Sequence, residues 1–337
     1  MPRPTQGTQM KTIEFTRYGS PDYLKFKEIE IPTPGAREVL VRIYATSINS
    51  WDWELLHATP FANRLMFGLF RPKKLKTLGF DIAGRVEAVG SAVNKFHVGD
   101  EVYGDLSSCK WGGFAEYVSA PESALGIKPK NLSFEQAAAV PQAGLLAWQG
   151  LVDLGHITPG QKVLINGASG GSGTFAIQIA KTFDVDITGV CSTGKMDFVR
   201  SLGVDHVIDY TREDFTRSGK QYDLIIDAHA THSVSDYRRA LSPNGRYIVH
   251  GGATSTIVSV MYFGLILSLF DKRKLRLLLH KANKGLDALG SLLESGEVVP
   301  VIDKSFPFSK TIDALKYYGN GNARGKVVIT MQDGGNS

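Results

Sequence analysis

Val163-Leu164-Ile165-Asn166 runs into Gly167-Ala168-Ser169-Gly170-Gly171-Ser172-Gly173, then into Thr174-Phe175-Ala176-Ile177-Gln178-Ile179-Ala180-Lys181. A β-branched apolar run, a glycine turn and an amphipathic stretch predict strand, turn and helix. Such a turn suits anion binding. Any side chain at Gly170 or Gly171 would hold a pyrophosphate off, and the N–H groups at a helix start point at the anion with the helix dipole behind them. Ser169, Gly170, Gly171, Ser172 and Gly173 are therefore the candidate cradle. The competing reading is a plain strand–helix turn. The strand before and the helix after weigh against it.

Outward from this turn the alternation continues. Asp186 to Cys191 reads as a strand, with a helix near Met196 to Leu202. His206 to Asp209, Leu224 to Asp227 and Tyr247 to His250 supply three more strands, and Lys274 to Leu279 a sixth. Strands alternating with helices predict an α/β fold with a doubly wound parallel sheet and right-handed crossovers. Upstream lie short strands, Lys11 to Phe15, Glu38 to Ala45 and Ile82 to Val89, cut by Pro32, Pro34, Gly35 and Gly90. They suggest a β-barrel-like domain. Downstream, a helix (Leu286 to Leu293), a strand (Val298 to Ile302), a second helix (Thr311 to Tyr318) and a last strand (Lys326 to Met331) are expected. The expected organisation is a split β-rich domain, 1–133 with 285–337, and an inserted nucleotide-binding domain, 134–284.

Composition bounds the function. With 43% hydrophobic residues among 337, the chain can fill a core, which excludes bulk disorder. The +5 charge suits a polyphosphate ligand but is too small and dispersed for nucleic acid. Cys109 and Cys191 cannot make a disulfide scaffold or a four-cysteine zinc site. A reducing cytoplasm is the expected location, and polar residues 1–9 read as a loose tail. The most apolar stretch, Ile257 to Phe270, falls short of the roughly 20 residues that a spanning helix needs.

NAD sites usually carry an acid at the end of the second strand, for the ribose hydroxyl. Here that strand ends Val190-Cys191-Ser192-Thr193-Gly194-Lys195, without an acid. Ser192 and Lys195, with Tyr210 after the third strand, are the candidates for a 2′-phosphate, so NADPH is the expected cofactor. The alternative for Lys195 is a solvated residue that starts a helix.

At this point the chain resembles the medium-chain dehydrogenase/reductase superfamily, and within it the zinc-independent quinone oxidoreductase (zeta-crystallin-like) branch. The residues that carry the resemblance are Gly99-Asp100-Glu101-Val102, Gly113-Phe114-Ala115-Glu116-Tyr117, Ala137-Ala138-Ala139-Val140-Pro141, the glycine turn, and Arg324-Gly325-Lys326-Val327-Val328. The resemblance implies a GroES-like catalytic domain beside a Rossmann-type NADPH-binding one. Zinc-dependent relatives place ligands at positions that match Asn49, Gly79-Phe80-Asp81 and Gln142, and no ligand set remains here. No metal is expected. The resemblance also implies that Asn49 and Asp52 border the reacting carbon. Asn49 would orient the carboxamide or donate to an oxyanion; Asp52 would order a water or hold a neighbour. The other reading of Asp52 is a carboxylate at a helix start. His250, Gly251, Gly252, Asn322 and Lys326 are implied near the nicotinamide. Leu146 departs from the threonine often found there.

Without a Lewis acid, an alcohol is a poor substrate, whereas a quinone or α,β-unsaturated carbonyl spreads the incoming charge onto oxygen. The expected function is thus hydride transfer from NADPH to such a small molecule. Two alternatives are an enoyl-thioester reductase and a non-catalytic, membrane-associated NADPH-binding protein. Ile257 to Phe270 has three readings open: a buried or interface helix in a homodimer, an acceptor wall, or a peripheral membrane contact aided by the adjacent Asp271-Lys272-Arg273-Lys274 run. Arg71 to Lys76 is a second basic run, read as solvated.

Overall fold

The computed structural model describes residues 9–109, 111–270 and 272–331. Of the expected tail, residues 1–8 lie outside these, as does Asp271 of the basic run, while Gln9 already opens a strand. In chain order the elements begin with β1 (Gln9–Glu14), β2 (Lys25–Glu30), β3 (Glu38–Ile48), α1 (Ser50–His57), α2 (Ala62–Phe67), β4 (Asp81–Val89), β5 (Glu101–Asp105), β6 (Tyr117–Pro121), β7 (Gly126–Ile127) and α3 (Phe134–Ala138). They continue with α4 (Pro141–Trp148), β8 (Lys162–Asn166), α5 (Gly171–Lys181), β9 (Asp186–Cys191), α6 (Met196–Ser201), β10 (His206–Asp209), β11 (Tyr222–Asp227), α7 (Val234–Ala240) and β12 (Leu241–Val249). The last are α8 (Thr254–Phe270), β13 (Lys274–Leu277), α9 (Leu286–Ser295), β14 (Ile302–Pro307), α10 (Thr311–Gly319) and β15 (Lys326–Thr330).

Two compact units result: Met1–Gln142 with Ile302–Ser337, and Ala143–Val301. The first is GroES-like. Its main sheet runs β14-β15-β3-β4-β5-β7, with β6 also paired to β3. The chain's last strand therefore sits inside this sheet, antiparallel to β3 and parallel to β14. Its core gathers Phe80, Phe114, Trp111, Leu55 and Ile48. α3 was expected with the nucleotide-binding domain but packs on β3 and β4 of this unit. The reason is its buried Ala137-Ala138 edge, which allows a close approach.

The second unit is Rossmann-type. Six parallel strands are ordered β10-β9-β8-β11-β12-β13. The first four strands of this unit thus leave a reversal between β8 and β11, where such folds bind ligands at the carboxyl ends. β8 and β11 are buried almost throughout, as expected of strands covered on both faces. α9 belongs here too, although a boundary at 284/285 had placed it in the other domain. The strand expected over Val298 to Ile302 begins only at Ile302, because the Val298 N–H is taken by Leu292 O at the end of α9.

Candidate functional site

The sequence candidates fall into two groups, one in each unit. In the Rossmann-type unit, the turn after β8 is laid across β9: the N–H groups of Gly167 and Ala168 both donate to Val190 O, at 3.2 and 3.1 Å. Gly167 needs its glycine, with φ at 84°. Gly173 needs it too, since a Cβ there would stand 2.2 Å from Gly167 O. Gly170 does not. Its backbone is extended (φ −84°, ψ 177°), and a Cβ would meet only Gly167 O, at 3.4 Å. Among the described residues, the space over Gly170 meets only that one oxygen. Beside it α5 starts without a side-chain cap and without an acid in its first turn. Open N–H groups next to an unclaimed glycine fit a pyrophosphate. Ser169 is buried in the turn, and Gly171 and Ser172 are half-buried at its lip.

The end of β12 reaches the same place. His250 Nε2 lies 3.0 Å from Ser172 Oγ, while its buried Nδ1 has no hydrogen-bond partner among the described residues. Burial, aided by nearby His280, holds the His250 imidazole down at about 4, so it is neutral. Gly251 and Gly252 are also required by packing within the unit. A Cβ on Gly251 would come within 2.6 Å of Ala228 O, and one on Gly252 within 2.2 Å of Ala230 N. Packing between the loops after β11 and β12 already demands both glycines. The reversal itself holds a network that the sequence reading missed. Asp227, at the end of β11, accepts from Asn166 Nδ2 (2.8 Å), His229 N (2.9 Å) and Tyr247 Oη (2.9 Å). Burial pushes its carboxyl up against those donors.

Ser192, Lys195 and Tyr210 come together at the β9–β10 edge. Cys191 and Asp209 are register partners, and Tyr210 N donates to Cys191 O at 3.1 Å. Tyr210 is exposed, and Ser192 and Lys195 are half-buried. Sequence reasoning looked for an acid only at the end of β9 and missed Asp209 one strand over. Its carboxylate accepts from Thr193 Oγ1 and Thr211 Oγ1 and faces Arg212 Nε at 3.6 Å. The Thr193 hydrogen bond leads in holding it below the ordinary carboxylate range.

In the GroES-like unit the positions that match zinc ligands surround an ion pair. Asn49 Nδ2 donates to Asp81 Oδ2 at 2.9 Å, and its Oδ1 accepts from Lys326 Nζ. The ammonium also donates to Ile48 O and lies 3.7 Å from Asp81. Gln142 N donates to both Asp81 oxygens. Phe80 points into the aromatic core against Trp51 and Trp111. Burial pushes the Asp81 carboxyl up, and the ammonium pulls it back. Burial likewise lowers Lys326 from its ordinary value, opposed by Asp81. Lys326, implied beside the cofactor, is 3% exposed and spends its donors on the protein. Asp52 is fully buried. Its oxygens accept from the N–H groups of Asn49 and Gly79, at 3.0 and 2.9 Å, so it ties the start of α1 to the segment that leads into β4. Burial raises its carboxyl to about 7. Asn322 is exposed in the turn before β15. Among the described residues, no three of His, Cys, Asp and Glu gather as a metal site.

The apolar stretch forms α8, which is neither fully buried nor free. Gly264 lies so close to β13 that a Cβ would touch Leu275 O at 2.4 Å. Val258, Met261, Tyr262, Phe263 and Ile266 face solvent. Among the described residues, no helix is long and apolar enough to cross a membrane.

Residues 35–130 match the alcohol dehydrogenase GroES-like domain family, and residues 202–329 match the zinc-binding dehydrogenase family. The chain is 35% identical to the 2-methylene-furan-3-one reductase of Solanum lycopersicum, over 96% of this chain and 79% of that one. It is 33% identical to a chloroplastic quinone-oxidoreductase homolog of Spinacia oleracea, over 95% and 98%. It is 32% identical to the chloroplastic NADPH-dependent alkenal/one oxidoreductase of Arabidopsis thaliana, over 95% and 79%. The structure of the Coxiella burnetii quinone oxidoreductase superposes with a TM-score of 0.85 at 30% identity, over 96% of this chain and all (100%) of that one. The CurK enoyl reductase superposes at 0.83 with 26% identity, over 97% and 100%. The expected cytoplasmic location is corrected by these relatives: the names of several carry a chloroplast or chloroplast-envelope location, and none of those supports the cytoplasm.

Proposed function

Because this chain belongs to the medium-chain dehydrogenase/reductase superfamily, in its quinone oxidoreductase branch, we propose that it transfers hydride from NADPH to a quinone or α,β-unsaturated carbonyl without a metal. That it is an oxidoreductase follows from its relatives. The finer reading is carried by one observation: Asn49, Phe80 and Gln142 stand at the ligand positions, and the Lys326 ammonium is held there by Asn49 and Asp81. A cation already fixed there disfavours a second one. The charge on a conjugated acceptor's oxygen then needs hydrogen-bond donors only.

Bound at the glycine turn, NADPH would supply the hydride. The open N–H groups at the start of α5 would hold its pyrophosphate, beside Ser169, Gly170, Gly171, Ser172 and Gly173. Ser192, Lys195 and Tyr210 would read its 2′-phosphate. Asn49 keeps one amide hydrogen beyond the one given to Asp81, and we assign it the orientation of the reacting carbonyl. Asp52 acts through Asn49, as a positioning residue, by clamping its backbone. Solvent supplies the proton.

An enoyl-thioester reductase is the second reading, favoured by the likeness to CurK enoyl reductase. A panel of quinones, enones and acyl thioesters at equal NADPH separates the two. Quinone or enone turnover that is faster than thioester turnover and unchanged by chelators is expected. Faster thioester reduction, or loss of turnover on chelation, would overturn the proposal.

A further inference from the structure

We propose that the segment from Phe61 to Lys76, in the GroES-like unit, docks onto an anionic lipid bilayer. Phe61, Leu65, Met66, Leu69 and Phe70 are all exposed there, Phe70 by 87% and Leu65 by 69%. So many large apolar side chains grouped in ten residues of a water-facing loop mark a contact surface.

The segment is braced from behind. Tyr18 Oη donates to Gly68 O at 2.9 Å, and Arg64 Nη1 donates to Leu69 O at 3.2 Å. Lys73 N donates to Phe67 O at 2.9 Å. Phe67 packs near Trp111, and Leu75 is 3% exposed in the core. With both flanks anchored, Leu69 and Phe70 are held outward and cannot fold back under the surface.

Charge identifies the occupant. From Leu55 to Phe80 the chain has no Asp or Glu, and Arg71, Lys73, Lys74 and Lys76 are exposed beside the apolar residues. A second copy of the chain would bring two basic runs together, and an acidic protein would leave the apolar tips without a match. An anionic bilayer satisfies both: headgroups attract the lysines, and the tips enter the headgroup–acyl boundary. The exposed face of α8 is followed by one exposed cation, Lys272, with Arg273 and Lys274 half-buried, against four exposed cations beside Phe70, so the argument is carried by the Phe61–Lys76 segment. The proposal stands independently of the reaction assigned above.

Cosedimentation of the full chain tests it, with vesicles of phosphatidylcholine alone and of phosphatidylcholine with about a third phosphatidylglycerol. The protein should bind the anionic vesicles at least about tenfold tighter, and rising salt should release it. Lys73→Glu with Lys74→Glu should weaken binding by at least about tenfold, since each lysine near such a surface contributes about fivefold. Leu65→Ser with Phe70→Ser should weaken it too, without lowering the melting temperature, because both side chains are exposed. Absence of vesicle binding, or wild-type binding by both variants, would overturn the proposal. So would loss of turnover with a water-soluble acceptor while vesicle binding persists, which would make the patch an acceptor wall. Concentration-dependent self-association abolished by Phe70→Ser would point instead to a second copy.

Discussion

Lys195 carries the choice of nucleotide in our reading, and its removal has a signed consequence. Lys195→Glu should weaken NADPH by roughly 10- to 150-fold, the worth of one charge-assisted hydrogen bond of about 1.5–3 kcal/mol, and leave NADH nearly unchanged. Fluorescence titration of both nucleotides measures it, and equal losses would remove the phosphate role. His250 gives a pH signature. Burial lowers its folded value from 6.5 to about 4, so the fold favours the neutral ring. That contribution is complete above pH 6.5 and is lost as pH falls from 6.5 through 4. Going from neutral to acidic buffer, the wild type should therefore lose more melting temperature than His250→Gln; a parallel decline would show that the ring does not matter. Single residues were also the least legible from the sequence. Lys326 sits in a Gly-Lys-Val-Val run that says strand, but nothing in it says that the ammonium turns inward to Asn49 and Asp81. Asp209 was overlooked because the strand that carries it neighbours, in space, the one that was searched.

Among elements, the strand–turn–helix around Gly170 was the most legible, because all its determinants lie within one short stretch and act locally. β2 was not anticipated: Lys25–Glu30 has almost no buried face, and its pairing with β1 is a long-range event. Two glycines of the turn separate its folding from its binding. Gly173→Ala places a Cβ where Gly167 O already is, so it should destabilise the protein and reduce nucleotide binding together. Gly170→Ala meets only one atom, at 3.4 Å, and should melt like the wild type. Its NADPH dissociation constant should nevertheless rise, because the methyl intrudes on the anion's space. Calorimetry paired with thermal melting reads both. A stable Gly170→Ala variant with wild-type affinity would mean that the pyrophosphate lies elsewhere.

For the whole molecule, the split of the first unit into two chain segments was readable from a β-rich beginning and a mixed tail. The boundaries were less so, since α3 and α9 are assigned by what they pack against and not by their composition. The split has a measurable cost. Truncation after Val301 removes β14, α10 and β15, exposes the edge of β3 and strips Asp81 of its counter-charge. Leaving one buried charge unpaired costs about 3–5 kcal/mol by itself. The shortened chain should lose the protease resistance of residues 9–142 and keep that of the Rossmann-type unit; wild-type resistance in both would refute this dependence.

The interior placement of β15 also orders events on the ribosome. The inserted unit can close as soon as Val301 has emerged, whereas the segment made before it waits for a partner made after it. Until then β3 presents an unzipped margin and the Asp81 carboxylate lacks its cation. The segment made before the inserted unit thus matures after it, and it is the part for which a chaperone holding the nascent chain would matter.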